Sequence, residues 1–173
     1  MTRRFSLLIA WGCTALLIAT PLFAVYFLLN MPAFIELTKM GFRAAIEWDT
    51  VVSWQWVSVW AATLLYMMIG VVGLYYLRRP FANFARGELF NLDNSRDLLT
   101  FSKLLFIQGL AKPVHFAVCS VLLSASHGPG KKMLAINFSS TEVKMIAMAM
   151  VFWVMSNLLI EGCKLHTENR PFV

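Results

Sequence analysis

The chain alternates long apolar runs with short polar segments. Four runs are long enough to cross a bilayer as helices, which takes about 20 residues. They cover residues 5–29, 57–77, 104–126 and 143–160. A polar stretch at 78–103 separates the second run from the third, and a polar tail at 161–173 follows the fourth. This pattern predicts an all-α membrane protein in which residues 1–173 form a single domain, a bundle of four transmembrane helices.

Composition favours lipid as the main solvent of this chain. Hydrophobic residues make up 59% of its 173 residues, and charged residues only 14%, against roughly 25% in soluble domains. A soluble domain of this size has too little interior to bury so much apolar surface. A cleaved signal peptide is the rival interpretation of the first run. That run is longer than the roughly 7–15 apolar residues of a signal peptide, so we expect a retained anchor.

Lysine and arginine are distributed unevenly between the two predicted sides of the membrane. One side carries nine of them, at both termini and in 78–103, and the other carries five. The positive-inside rule places the richer side in the cytoplasm. We therefore expect a multi-pass membrane protein with both termini, a helical hairpin at 78–103 and the tail all cytoplasmic. An aromatic belt marks the opposite boundary near the second span: Trp48, Trp54, Trp56 and Trp60.

The first outer loop carries the signals of a short amphipathic helix. Asn30 is a suitable cap, and Pro32 suits the first helical turn. Charged residues then recur at helical spacing and form one stripe: Glu36, Lys39, Arg43 and Glu47. We interpret this segment as a helix on the outer membrane surface with a solvated charged face.

The third span carries an intramembrane polar face. Its members follow spacings of 4, 3 and 4 and share one side of a helix: Gln108, Lys112, His115 and Cys119. From Pro113 to Ser126 a helix extends only about 21 Å, too little to cross a hydrocarbon core of about 30 Å. Lys112 is therefore expected well inside the bilayer.

Three interpretations of this polar face remain open. In the structural one, Lys112 bonds carbonyls freed at the Pro113 kink and His115 bonds a neighbour such as Asn157. The others are a ligand-sensing or proton-sensing pocket and a transport path. No acidic residue lies inside the four predicted spans, so the sequence offers Lys112 no evident counter-ion. Ser139 and Glu142, just before the fourth span, form the pattern of a capping box.

Catalytic and metal-binding motifs are not evident in the sequence. Cys13, Cys119 and Cys163 lie in different segments without a C-x-x-C pair, and we expect no disulfide among them. Cys163 and His166 alone do not make a metal site. We therefore expect a non-enzymatic protein without a cofactor or metal and without direct binding to nucleic acid.

The hairpin and the tail carry two short motifs. The predicted turn has Gly87 as a helix end and Asn91 or Asp93 as the next cap. The hairpin motif consists of Phe81, Gly87, Glu88, Phe90, Asn94 and Leu98, and the tail motif of Glu161, Gly162, Leu165, Glu168 and Asn169. Together they resemble a bacterial four-span membrane family known as domain of unknown function 2975. Pro171 and the Lys112–His115 segment depart from that pattern.

The resemblance implies a location in the bacterial inner membrane and a function in regulation. Relatives of this kind are often encoded beside a small helix-turn-helix regulator, which suggests a membrane protein that holds or tunes a transcription factor. Under this hypothesis the hairpin and tail motifs form one surface that docks a cytoplasmic protein. The alternatives are a small dimeric transporter or ligand-sensing protein that uses the Lys112/His115 face, and an accessory subunit of a larger membrane complex with the Met-rich fourth span as its contact.

Overall fold

A computed structural model describes residues 2–42, 46–88 and 91–168 of the chain. Its elements are α1 (Thr2–Leu29), α2 (Met31–Gly41), a short 3-10 helix (Trp48–Thr50), α3 (Ser53–Arg86), α4 (Leu92–Ser124) and α5 (Ser140–Glu168). Of these, α1, α3, α4 and α5 are long and apolar enough to cross a membrane. The prediction of an all-helical chain with four candidate spans is confirmed.

The four long helices pack in the order α1–α3–α4–α5. Each packs extensively against its neighbour in this order, and α2 packs against α1. Within the described chain α1 and α5 thus lie at opposite ends of an open bundle. We call the end where α3 and α4 are joined the hairpin end, and the end that holds α2 the loop end. Few side chains of the four apolar segments are buried inside the bundle, as expected when lipid covers them.

The loop end is closed by a small apolar core beneath α2. Phe34 of α2 packs with Trp56 and Val59 of α3 and with Leu123 of α4. Gln55 is fully buried beside this core and donates through Nε2 to the carbonyl of Leu122 at 2.6 Å. Because an unpaired amide would be costly there, this bond fixes α3 to the last turn of α4.

The charged stripe predicted along the first loop is shorter than expected. Glu36 and Lys39 form an ion pair at 3.2 Å on α2. Arg43 lies outside the described residues. The expectation that Glu47 shares the stripe is wrong, because α2 ends at Gly41. Glu47 instead pairs at 2.6 Å with Lys131 from the connection between α4 and α5.

The connection between α4 and α5 turns back along α4. After the end of α4 at Ser124, the extended residues 131–139 follow its last turns in the opposite direction. The Ser124 hydroxyl accepts from the N–H of Met133 at 3.0 Å, and the Ser120 hydroxyl accepts from the N–H of Ala135 at 2.9 Å. These serines supply the hydrogen-bond partners that a neighbouring strand would otherwise give.

As a result, α5 begins partway down the bundle. Its residue Glu142 forms an ion pair with Lys112 of α4. Lys112 lies about 18 Å along the helix axis from the end of α4 at Ser124. The fourth apolar run is therefore short because residues 131–139, and not a helix, lie beside the last turns of α4.

Candidate functional site

A polar cluster lies where α3, α4 and α5 meet, and the Lys112–Glu142 ion pair is its centre. The Glu142 side chain is 1% exposed, whereas that of Lys112 is 42% exposed. The expectation that Lys112 lacks a counter-ion is wrong. Its partner comes from the first turn of α5, which starts three residues earlier than the predicted span, at Ser140.

Glu142 has a second function in this cluster. Its Oε2 accepts from both the backbone N–H and the hydroxyl of Ser139 at 2.5 Å. The Ser139 hydroxyl in turn accepts from the N–H of Thr141 at 3.2 Å. This is the capping box that the sequence predicted, and it satisfies donors at the start of α5. One carboxylate therefore caps α5 and also neutralises Lys112.

The packing of α4 against α5 at this level depends on a glycine. A Cβ atom on Gly109 would lie 2.8 Å from Cγ1 of Ile146. The missing side chain lets α5 approach α4 one turn before Lys112. This close approach brings the Glu142 carboxylate within reach of the ammonium group.

His115 faces α3 and not α5. Its Nε2 lies 3.2 Å from the hydroxyl of Thr63 and 3.4 Å from the thiol of Cys119. Its ring stacks on that of Tyr66 with centroids 5.0 Å apart. The suggestion that His115 bonds Asn157 is wrong, because the Asn157 side chain is exposed on α5.

Gln108 completes the cluster on the hairpin side. Its side chain packs over Gly70 of α3, where a Cβ would meet Nε2 at 2.8 Å. The predicted polar face of α4 is thus divided between two neighbours. Gln108, His115 and Cys119 face α3, and Lys112 turns to α5.

The depth of this cluster follows from the length of α4. Lys103 lies in the basic region near the hairpin end, and Lys112 is about 14 Å further along the helix. Half of a hydrocarbon core is about 15 Å. A bilayer with its boundary at Lys103 would place the ion pair near its middle, so the depth expected for Lys112 stays a prediction. A pair at that depth is retained where both charges are satisfied, and Glu142 meets this condition through its bonds with Lys112 and Ser139.

The hairpin end has a rigid turn between α3 and α4. Gly87 adopts φ +95°, and the N–H of Glu88 donates to the carbonyl of Asn83 at 3.1 Å. This is a Schellman ending, which favours glycine at the left-handed position. Asn91 then caps α4 by accepting from the N–H of Asp93 at 2.9 Å.

Asn94 holds the two arms of this turn together. It is almost fully buried, and its Nδ2 donates to the carbonyl of Glu88 at 2.8 Å. Its Oδ1 accepts from Nδ2 of Asn83 at 2.6 Å. Arg79 and Asp97 add an ion pair between α3 and α4 at 3.4 Å.

The predicted docking residues fall into buried and exposed groups. Asn94 and Leu98 are buried, and Phe81 and Gly162 are half-buried. The exposed members are Gly87, Glu88, Glu161 and Leu165. Phe90 and Asn169 lie outside the described residues, as does the side chain of Glu168. The hairpin and the end of α5 do meet, because the hydroxyl of Ser95 lies 3.9 Å from the thiol of Cys163.

Sequence reasoning missed several members of the central cluster. Thr63 and Tyr66 carry no signal of their own, since single polar residues in an apolar span are common. Glu142 did carry a signal, because its capping box was visible. The level of the bundle at which α5 begins was not visible in the sequence. That level places Glu142, the capping residue of α5, beside Lys112 as its counter-ion.

Comparisons of this chain with protein-family models, with curated proteins and with solved structures found no match. The resemblance of the hairpin and tail motifs to the four-span family therefore stays a prediction.

Proposed function

We propose that this chain is a non-enzymatic, multi-pass protein of the bacterial inner membrane that docks a cytoplasmic protein at its hairpin end. The exposed part of the docking surface consists of Glu88, Glu161 and Leu165. The motif resemblance suggests a small helix-turn-helix regulator as the partner. Both termini lie in the cytoplasm under this proposal.

The observation that carries the proposal is the position of Leu165. This side chain is 60% exposed, and it lies beyond Cys163, which is level with Ser95 of α4. Ser95 is about 12 Å along α4 from Lys103, towards the hairpin end. With the lipid boundary that this proposal assumes at Lys103, Leu165 is an exposed apolar side chain beyond that boundary, one helical turn from the exposed Glu161. An apolar anchor with a charged rim is the usual composition of a protein contact.

The structure of the turn also favours docking. The Schellman ending, the Asn91 cap and the buried Asn94 leave the backbone of the hairpin little freedom. A rigid surface loses less conformational entropy on binding than a loose linker does. The Lys112–Glu142 cluster supports a transport path less well, because its carboxylate is already occupied by Lys112 and Ser139.

Site-specific photo-cross-linking in cells tests the docking surface. A photoreactive amino acid at Leu165 should capture a cytoplasmic protein, identified by mass spectrometry as a DNA-binding regulator. The matched control is the same substitution at Leu158, which is 59% exposed on the same helix and faces lipid under this proposal. Adding Glu161→Lys should abolish the Leu165 adduct. An absent adduct, or the same adduct from both positions, contradicts the proposal.

Cysteine labelling tests the orientation separately. In a cysteine-free background, Thr38→Cys on α2 should react with a membrane-impermeant reagent applied to spheroplasts, while Thr167→Cys should react only after lysis. The reverse result places the hairpin end outside and makes a cytoplasmic partner impossible.

A second function is favoured by the extended segment beside α4. In the described chain, the backbone N–H and C=O groups of Leu134 and Ile136 form no hydrogen bond. Both side chains are exposed. Backbone N–H and C=O groups without hydrogen-bond partners are costly inside a membrane unless protein or water supplies the partners. This edge supports the hypothesis of an accessory subunit that pairs laterally with another membrane protein.

Cross-linking in native membranes tests this lateral contact. Under the accessory-subunit hypothesis, a photoreactive amino acid at Ile136 should capture another membrane protein, whereas the same substitution at Ile18 of α1, which is 58% exposed, should not. If Ile136 captures nothing, or both positions capture the same protein, no partner covers this edge. An Ile136→Cys homodimer under mild oxidation would identify the partner as a second copy.

A further inference from the structure

A basic cavity lies between α1 and α3 at the hairpin end. Its volume is about 540 Å³, within the range of roughly 300–1,000 Å³ that is usual for ligand sites. Three arginines line it, Arg3 from α1 and Arg78 and Arg86 from α3. Trp11 forms part of its wall and is largely exposed. Neither the hairpin motif nor the polar cluster of α4 accounts for this site.

Two of the arginines are held in place by their inner nitrogen atoms. Nε of Arg3 donates to the carbonyl of Ala85 at 2.5 Å, and Nε of Arg78 donates to the hydroxyl of Thr14 at 2.7 Å. Each bond links α1 to α3. Among the described residues, nothing bonds the terminal nitrogens of these two guanidinium groups or the side chain of Arg86, so all of them can donate to a ligand.

The three arginines of this cavity, Arg3, Arg78 and Arg86, form no ion pair with the residues that the structure describes. The neighbouring Arg79 differs, because it pairs with Asp97 and lies over the ring of Tyr75. Three cations that share one cavity repel each other, and a bound anion removes that repulsion.

The surroundings indicate the source of the anion. A second cavity of about 600 Å³ lies between the same two helices further from the hairpin end. Its walls are almost wholly apolar and include Pro21, Leu65 and Met68. From Thr14 in the first cavity to Thr20 in the second is about 9 Å of helix. A basic site at the membrane boundary with an apolar space beyond it suits a molecule with an anionic head and an acyl chain.

We propose that the basic cavity binds the phosphate of an anionic phospholipid. The guanidinium groups of Arg3, Arg78 and Arg86 donate to its oxygen atoms, and an acyl chain extends along the seam of α1 and α3. Arginine suits this function because its planar fork donates two bonds at once to phosphate. Basic pockets between membrane helices are known sites for lipid head groups.

Lipid titration of the full chain purified in mild detergent tests the proposal. Native mass spectrometry and thermal unfolding are measured with phosphatidylglycerol, phosphatidylcholine and inorganic phosphate. The wild type should retain phosphatidylglycerol selectively and gain thermal stability from it alone. The double variant Arg78→Gln/Arg86→Gln should bind it at least about tenfold more weakly, because it loses two charge-assisted contacts.

The matched control is Arg96→Gln/Lys103→Gln. Both residues are exposed at the same end on α4 but do not line the cavity, so this variant also removes two positive charges and should bind the lipid like the wild type. An equal loss from Arg96→Gln/Lys103→Gln shows diffuse surface attraction and overturns the proposal. Equal stabilisation by inorganic phosphate overturns the lipid source.

A folding defect in the double variant can be distinguished from a binding defect. Ala82→Phe keeps all the charges but fills part of the cavity, since Ala82 lines it. It should lose selective lipid retention while the protein still unfolds cooperatively. Unchanged retention of phosphatidylglycerol by Ala82→Phe also overturns the proposal.

Discussion

The two ends of α4 are connected to the rest of the chain in different ways. At the hairpin end, α3 and α4 are joined by a tight turn whose donors are satisfied by local groups such as Asn91 and Asn94. At the other end, α4 and α5 are joined by an extended segment that returns into the bundle and pairs with Ser120 and Ser124. The first connection is held by bonds within the turn and its two arms, whereas the second is held by bonds to the side of α4.

The polar residues of the two regions also differ in what they do. At the hairpin end, Asn91 and Asn94 hold the turn, and Glu88 stays exposed, as does Leu165 of α5, which suits the proposed docking. In the middle of the bundle, Lys112 and Glu142 bond each other, which suits positioning of α5. The pair stabilises the chain mainly because the buried carboxylate of Glu142 would be costly without a partner. The following substitutions separate the two regions, beginning with the largest expected effect.

Glu142→Ala should destabilise the protein most, by about 2–4 kcal/mol, because it removes both the cap of α5 and the counter-ion of Lys112. Lys112→Met should cost less, since Ser139 still donates to the carboxylate. Thermal unfolding in detergent measures both, and the double variant Lys112→Met/Glu142→Ala should be more stable than Glu142→Ala alone. Strict additivity would show that the pair is not coupled.

Asn94→Ala should destabilise the hairpin by about 1–3 kcal/mol, because it leaves the carbonyl of Glu88 and the amide of Asn83 without partners. The comparison variant is Asn157→Ala, whose side chain is exposed on α5 and which should change stability little. Thermal unfolding measures the loss, and proteolysis near residues 87–91 should increase for Asn94→Ala only. Equal stability of the two variants would show that the hairpin bonds contribute nothing.

Ser120→Ala should cost about 1 kcal/mol, because it removes the partner of the Ala135 N–H. Its effect should be confined to the connection between α4 and α5. Hydrogen exchange followed by mass spectrometry should show faster exchange in residues 131–139 and unchanged exchange at the hairpin. Thr100→Ala is a suitable control, since its hydroxyl bonds only the Arg96 carbonyl within its own helix. Faster exchange at both ends would contradict a separate role for the extended segment.

The smallest effect concerns the Glu47–Lys131 ion pair. The hydrogen bond from Lys131 lowers the pKa of the Glu47 carboxyl below its ordinary 4.5, and the same bond raises the pKa of Lys131 above its ordinary 10.5. The pair therefore stabilises the fold above the ordinary carboxyl pKa and is lost as the pH falls through the folded pKa of Glu47. It is likewise lost as the pH rises through the folded pKa of Lys131.

A comparison with Lys131→Gln measures this effect. Both partners are exposed, so the difference in melting temperature should be slight at neutral pH and weaker at high salt. The two melting curves should converge as the pH falls. A difference that persists when Glu47 is protonated would show that Lys131 acts through another contact.

The sequence alone determined the class of this protein and much of its local structure. Apolar run length predicted four long helices, because spanning a bilayer imposes a minimum length on each one. Residue types and their spacing also predicted Gly87 as the end of a helix and Ser139–Glu142 as a capping box. These signals were visible because they act through bonds between residues close in the chain. Spacing alone also placed Gln108, Lys112, His115 and Cys119 on one side of α4.

Tertiary structure decided which neighbour each polar residue meets. The pairs Lys112–Glu142 and Glu47–Lys131 join segments far apart in sequence. Neither follows from spacing, because each depends on where the extended segment returns along α4 and hence on the depth at which α5 begins. That depth is fixed by the close approach at Gly109 and by the serine bonds. Such contacts arise only when the helices pack, since no local pattern encodes the offset between two antiparallel helices.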